Sequence, residues 1–145
     1  MHDAHARTLA WLARRTERAL AEVELSLPDY RLLCVIADDA AGSSQLAGRL
    51  AVSKPRITAL ADRLAHRGYL ERRPHPDDRR RVEHVLTEAG RAALRRADAA
   101  AAGSVGRLLV ELGPDEVGVV EEAFGLLERA LVSSRASKHD GAVST

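Results

Sequence analysis

The chain has 145 residues and a formal net charge of +1, a length that fits one domain with one proper core. Its 46% hydrophobic and 30% charged residues exclude a disordered chain, and no apolar run approaches the roughly 20 residues that a membrane helix needs. One cysteine excludes an internal disulfide and, with no apolar signal core at the N-terminus, points to a reducing cytoplasm.

Residues 4–24 are rich in Ala, Leu, Arg and Glu, and Leu9, Leu12, Thr16, Leu20 and Val23 share one helix face. Leu27-Pro28-Asp29 breaks and restarts the chain, with Pro28 in the first turn of a helix that runs to Asp38. Residues 38–42 form a loop, and Ser43 or Ser44 is expected to cap a short helix from Gln45 to Leu50. Ala51-Val52 is a turn. Ser53 is expected to cap the next helix, with Pro55 near its start and Gly68 as its left-handed stop. Ile57, Leu60, Ala61 and Leu64 form its apolar face. Two short strands, 69–73 and 81–86, flank a turn of prolines and aspartates, which is the pattern of a hairpin. Thr87 caps a helix over 88–110, and Gly113-Pro114-Asp115-Glu116 opens a last helix over 114–134. From residue 135 a polar tail is expected to be disordered.

The small net charge hides an uneven distribution. From Ser53 to Arg81 there are nine Lys/Arg against four Asp/Glu, a local charge of +5 that leaves −4 on the rest. One basic face on a nearly neutral protein suits a nucleic-acid reader. The order short helix, turn, basic helix, hairpin is that of a winged helix-turn-helix. The second helix of such a unit fits the DNA major groove. Lys54 and Arg56 at its start are expected to reach base edges, with Ser53 and Thr58 beside them and Pro55 shaping the tip. An arginine on the hairpin, the wing, can enter the minor groove. Asp78 stands two residues before Arg80 and is expected to pair with its side chain and aim it. Ser43, Ser44 and Gln45 at the first helix, Arg63 on the second, and Arg72, Arg73, Arg79 and Arg81 on the hairpin complete the candidate DNA-binding set.

At this point the residues resemble a known family. Residues 27–33, 45–50 and 53–68, and above all Asp78-Arg79-Arg80 with Leu86-Thr87-Glu88-Ala89-Gly90, are similar to the multiple antibiotic resistance regulators, the MarR family. That family's wing carries Asp-x-Arg followed at fixed distance by Leu-Thr-x-x-Gly. The resemblance implies a mainly α fold: a winged helix-turn-helix lobe over about 28–87, and dimerisation helices at about 4–24, 88–110 and 114–134. It further implies a homodimeric repressor of a pseudo-palindromic operator in double-stranded DNA, released by a small, phenolic or aromatic effector. Trp11 and Tyr30 are the candidates to line the effector pocket. Ala59 departs from the family, whose members often carry a longer polar or basic side chain there.

Other chemistry finds little support. Cys34 invites a redox-responsive reading, but its neighbours Leu32, Leu33, Val35 and Ile36 suit a buried structural thiol. His2 and His5 share a helix face at a terminus, and the six histidines form no ligand cluster, so neither metal nor cofactor is expected. No phosphate loop, His-Glu-x-x-His or nucleophile elbow occurs, so the chain does not read as an enzyme. The rival of another class is a winged-helix protein-interaction module without DNA binding. It would have no need for Arg56 and Arg79–Arg81 at both tips.

Overall fold

The computed structural model describes residues 3–140, ordered α1 (Asp3–Glu22), α2 (Leu27–Asp38), α3 (Ser43–Leu50), α4 (Lys54–His66), β1 (Leu70–Pro74), β2 (Val82–Leu86), α5 (Glu88–Leu109) and α6 (Pro114–Asp140). The chain forms two compact units, one up to Val105 and one from Gly106 onward. In the first, Leu20, Leu32, Leu33, Leu46, Ile57 and Leu64 are completely or almost completely buried. They bring α1–α4 together around one core, to which Leu70, Leu86 and Ala97 add β1, β2 and α5. In the second unit, α6 begins where Pro114 and the acids Asp115 and Glu116 were expected to start it. The Gly113 N–H donates to the Glu116 carboxylate at 2.8 Å. The helix continues to Asp140, so the tail expected from residue 135 is helical to that point; 141–145 lie outside the described residues.

Local chemistry explains most boundaries. Ser26 caps α2 reciprocally with Asp29, which accepts from the Ser26 N–H at 3.1 Å while the Asp29 N–H donates to Ser26 Oγ at 3.2 Å. Helix α4 ends in a Schellman motif. Gly68 has φ +74, its N–H donates to Ala65 O, and the Tyr69 N–H reaches back to Leu64 O at 2.9 Å. The turn between α3 and α4 rests on Ala51 in the left-handed region, at φ 54.

Two capping expectations are corrected. Gly42, not Ser43 or Ser44, is the N-cap of α3, and Gln45 Oε1 accepts from the Gly42 N–H at 3.2 Å. A glycine cannot cap with a side chain, so the N3 amide serves instead. Ser53 is the N-cap residue of α4, but its side chain makes no cap bond, which leaves the first-turn N–H groups of that helix to other partners.

Strands β1 and β2 pair antiparallel from Leu70 with Leu86 to Pro74 with Val82. An isolated bridge between Ala41 and His84 adds a third contact to this hairpin, where a plain loop was expected. Thr87 then fastens the base of the wing. Its Oγ1 donates to Gly68 O at 2.6 Å and accepts the Gly90 N–H at 2.9 Å, while the Thr87 N–H donates to Tyr69 O at 3.1 Å.

Candidate nucleic-acid interface

Ser53, Lys54, Pro55 and Arg56 are all exposed at the start of α4. From the end of the first turn onward, the inner face of the helix is filled by Ile57, Leu60, Ala61 and Leu64. This apolar stripe packs α4 against the core and points its N-terminal cations outward. Thr58, half-buried, donates its hydroxyl to Lys54 O at 3.1 Å, so that donor is turned along the helix. Ala59 is exposed beside it.

The wing tip is built by its own turn bonds. His75 N–H donates to Arg81 O at 2.8 Å, and Arg81 N–H to Asp78 O at 2.9 Å. Asp78 Oδ1 accepts from the backbone N–H of Arg80 at 3.0 Å. This corrects the expected side-chain pair. Asp78 shapes the turn that presents Arg80 and does not hold its guanidinium, because an aspartate can fold onto its own backbone two residues on. His75 braces the same turn: Nδ1 accepts the Asp77 N–H at 3.1 Å and Nε2 lies 3.3 Å from Glu83.

The remaining candidates divide by what they touch. Arg63 pairs with Asp29, which is only 4% exposed. Burial raises the Asp29 carboxyl, but bonds from Ser26 and Arg63 outweigh it and hold the group below its ordinary value. Arg72 pairs with Asp62 of α4, and Arg73 with Glu71. Ser43 Oγ lies 3.1 Å from the buried His84 Nε2, while Ser44 and Gln45 are exposed. Lys54, Arg56, Arg79, Arg80 and Arg81 stand apart: each is exposed, with no ion pair or side-chain hydrogen bond among the described residues. Sequence reasoning missed the Asp29–Arg63 pair, although Ser26-x-x-Asp29 is a legible capping-box signal.

Trp11 and Tyr30 have different surroundings. Trp11 is 65% exposed and lines a shallow cleft with Arg14, Arg15 and Arg18 of its own helix. The Tyr30 hydroxyl donates to Asp98 at 2.8 Å, joining α2 to α5. Burial and this carboxylate push the phenol pKa above its usual range. A second cleft of about 480 Å³ lies beside Asp98, with Ile36, Leu86, Leu94, Arg91 and Arg95 among its walls. Cys34 is half-buried, and burial pushes its thiol upward. His5 is exposed, and His2 lies outside the described residues. Among the described residues there is no metal-ligand group and no helix long and apolar enough to cross a membrane.

Known proteins share this arrangement. The MarR family profile matches residues 25–82, the stretch from the cap of α2 to the start of β2. The transcriptional regulator PecS of Dickeya dadantii is 26% identical over 126 residues, covering 84% of this chain and 76% of PecS. The Mycobacterium tuberculosis protein RV1404 superposes with a TM-score of 0.78 at 24% identity, covering 88% of this chain and 89% of that one. The transcriptional repressor CouR, solved on a 23-mer DNA duplex, superposes with a TM-score of 0.68 at 26% identity over 86% of this chain and 89% of its own. With the helix-turn-helix, the hairpin and the Thr87–Gly90 clasp in place, the chain resembles the MarR family, whose model its residues 25–82 match.

Proposed function

We propose that the chain is a DNA-binding transcription regulator that represses as a homodimer on a two-fold operator and lets go when a small organic ligand binds. The five exposed, unpartnered cations at the tips of α4 and the wing carry this reading. Lys54 and Arg56 would enter the major groove and Arg80 the minor groove, with Ser53, Pro55, Arg79 and Arg81 at the rim. Ser44 and Gln45 are exposed at α3 and would meet the backbone; Arg63, Arg72 and Arg73 serve mainly to hold the frame. The similar repressor CouR is solved on a 23-mer DNA duplex, which supports duplex DNA as the partner.

Dimerisation is supported by apolar side chains exposed on the flanking helices. Leu9 and Trp11 of α1 are 52% and 65% exposed, and Val119, Leu127, Leu131 and Val132 of α6 are 55–66% exposed. A lone soluble chain seldom leaves so many uncovered. The ligand would enter the cleft beside Asp98, where apolar walls and two arginines suit an amphipathic molecule. It would act on the Tyr30–Asp98 bond between α2 and α5. A CouR from Rhodococcus jostii RHA1 is solved bound to p-coumaroyl-CoA, an example of such a molecule. The raised Cys34 thiol stays protonated at neutral pH and speaks against a redox switch.

The test is affinity for duplexes selected from a random pool. Two copies of the +5 segment would engage about 6–10 phosphates, so affinity should fall roughly 10³–10⁵-fold between about 50 and 200 mM salt. Inserting about 5 bp between half-sites should abolish tight binding by placing them on opposite faces. A flat salt response would overturn DNA binding; tolerance of the insertion would overturn the two-fold operator.

A further inference from the structure

His84 is the one histidine fully inside the protein among the described residues, at 3% exposure. It stands on β2 directly opposite Arg72 of β1. Its backbone N–H donates to Ala41 O at 3.0 Å, and its Nε2 lies 3.1 Å from Ser43 Oγ. Ala41 and Ser43 flank Gly42, the N-cap of α3. The wing is therefore tied at two points to the entrance of the helix-turn-helix, and both ties run through one residue. The segments lie so close that a Cβ on Gly42 would sit 3.1 Å from Val82 O.

We propose that His84 is a positioning residue for DNA binding, holding the wing against the entrance to α3 as a neutral imidazole, so that acidification frees the wing and weakens the grip on DNA. The Ser43 contact can survive either protonation state, because a hydroxyl can donate or accept. Charge is what the site resists. The ionisable groups that face the ring are Arg72 from β1 and Asp62 from α4, and these two are paired with each other. Burial, and then the Arg72 guanidinium, hold His84 below its ordinary value; Asp62 pulls weakly the other way. A lowered value in the docked state means the docked wing is fully favoured above about pH 6.5 and is lost as pH falls through the lowered value. Relief comes when the ring swings into water. That movement strips β2 from Ala41 and Ser43 and displaces Arg79–Arg81 relative to Lys54 and Arg56.

The inference rests on the DNA-binding reading, so its test has one arm that needs no DNA. In the free protein, the His84 ring protons should titrate below about 6.5, with the amides of Ala41, Gly42 and Ser43 shifting at the same midpoint. In the second arm, wild-type affinity for a selected duplex should fall on acidification by up to about tenfold per pH unit below that midpoint. His84→Gln, which keeps a polar contact to Ser43 but cannot titrate, should lose the drop. Should His84→Gln not fold, Arg72→Gln should move the drop to higher pH, because the repelling guanidinium is gone. A ring that titrates at or above its ordinary value, amides that do not follow it, or an acid drop that persists in His84→Gln would each overturn the proposal. If no duplex binds at any pH, DNA binding fails as a function and the ring titration still decides the positioning role.

Discussion

Arg63 and Asp78 carry charges whose work depends on partners that primary sequence does not display. Arg63 belongs to a basic helix and looks like a DNA contact, yet it is held by Asp29, thirty-four residues earlier. A pair so distant in sequence becomes visible only once α2 and α4 are packed. Lys54 and Arg56 were legible as exposed cations because they lie off the apolar stripe Ile57, Leu60, Ala61 and Leu64 of the same helix. Asp78 was expected to pair with the Arg80 side chain, and instead it accepts from the Arg80 N–H. Asp78→Asn keeps an oxygen that can accept this bond and should retain wild-type DNA affinity. Asp78→Ala should lose about three- to tenfold, the worth of one ordinary hydrogen bond. Fluorescence anisotropy on a selected duplex would measure both, and an equal loss for Asn and Ala would show that the negative charge itself matters.

The elements emerged from periodicity, prolines and glycines to within a residue or two, since those signals are local, except that α6 runs on to Asp140 beyond the expected end at 134. What stayed hidden was the bridge from Ala41 to His84: one residue has no period, and Ala40-Ala41-Gly42 resembles any loop. The Leu86-Thr87-x-x-Gly90 signature, noticed as a resemblance, has a physical cause. A Cβ on Gly90 would lie 2.0 Å from Tyr69 O, a backbone atom unable to move aside. The base of the wing, the end of α4 and the start of α5 meet there with no room for a methyl group. Gly90→Ala should therefore destabilise the fold by about 3 kcal/mol or more in urea unfolding, beyond ordinary overpacking. A loss under about 1 kcal/mol would mean that α5 can shift freely from the wing.

Across the whole molecule, the uneven charge supports the proposed DNA-binding function more directly than any one motif. A +5 segment inside a +1 chain places its cations on α4 and the wing, and in the proposed dimer two such tips would span successive grooves. The proposed ligand cleft has the weakest signal in the sequence. Trp11 and Tyr30 were chosen as the large aromatics, whereas the cleft beside Asp98 is made of aliphatic and charged side chains from three elements, none distinctive in sequence. The central claim is that helix and wing read DNA differently, and the decisive measurement is a set of affinities for wild type, Arg56→Ala and Arg80→Ala on an operator altered one base pair at a time. Arg56→Ala should cost about 1–3 kcal/mol and erase the preference at one base pair in each half-site. Arg80→Ala should weaken every duplex by a similar factor, most where the flanks are A·T-rich. Equal, sequence-independent losses for the two variants would contradict the account, because both arginines would then be plain phosphate contacts.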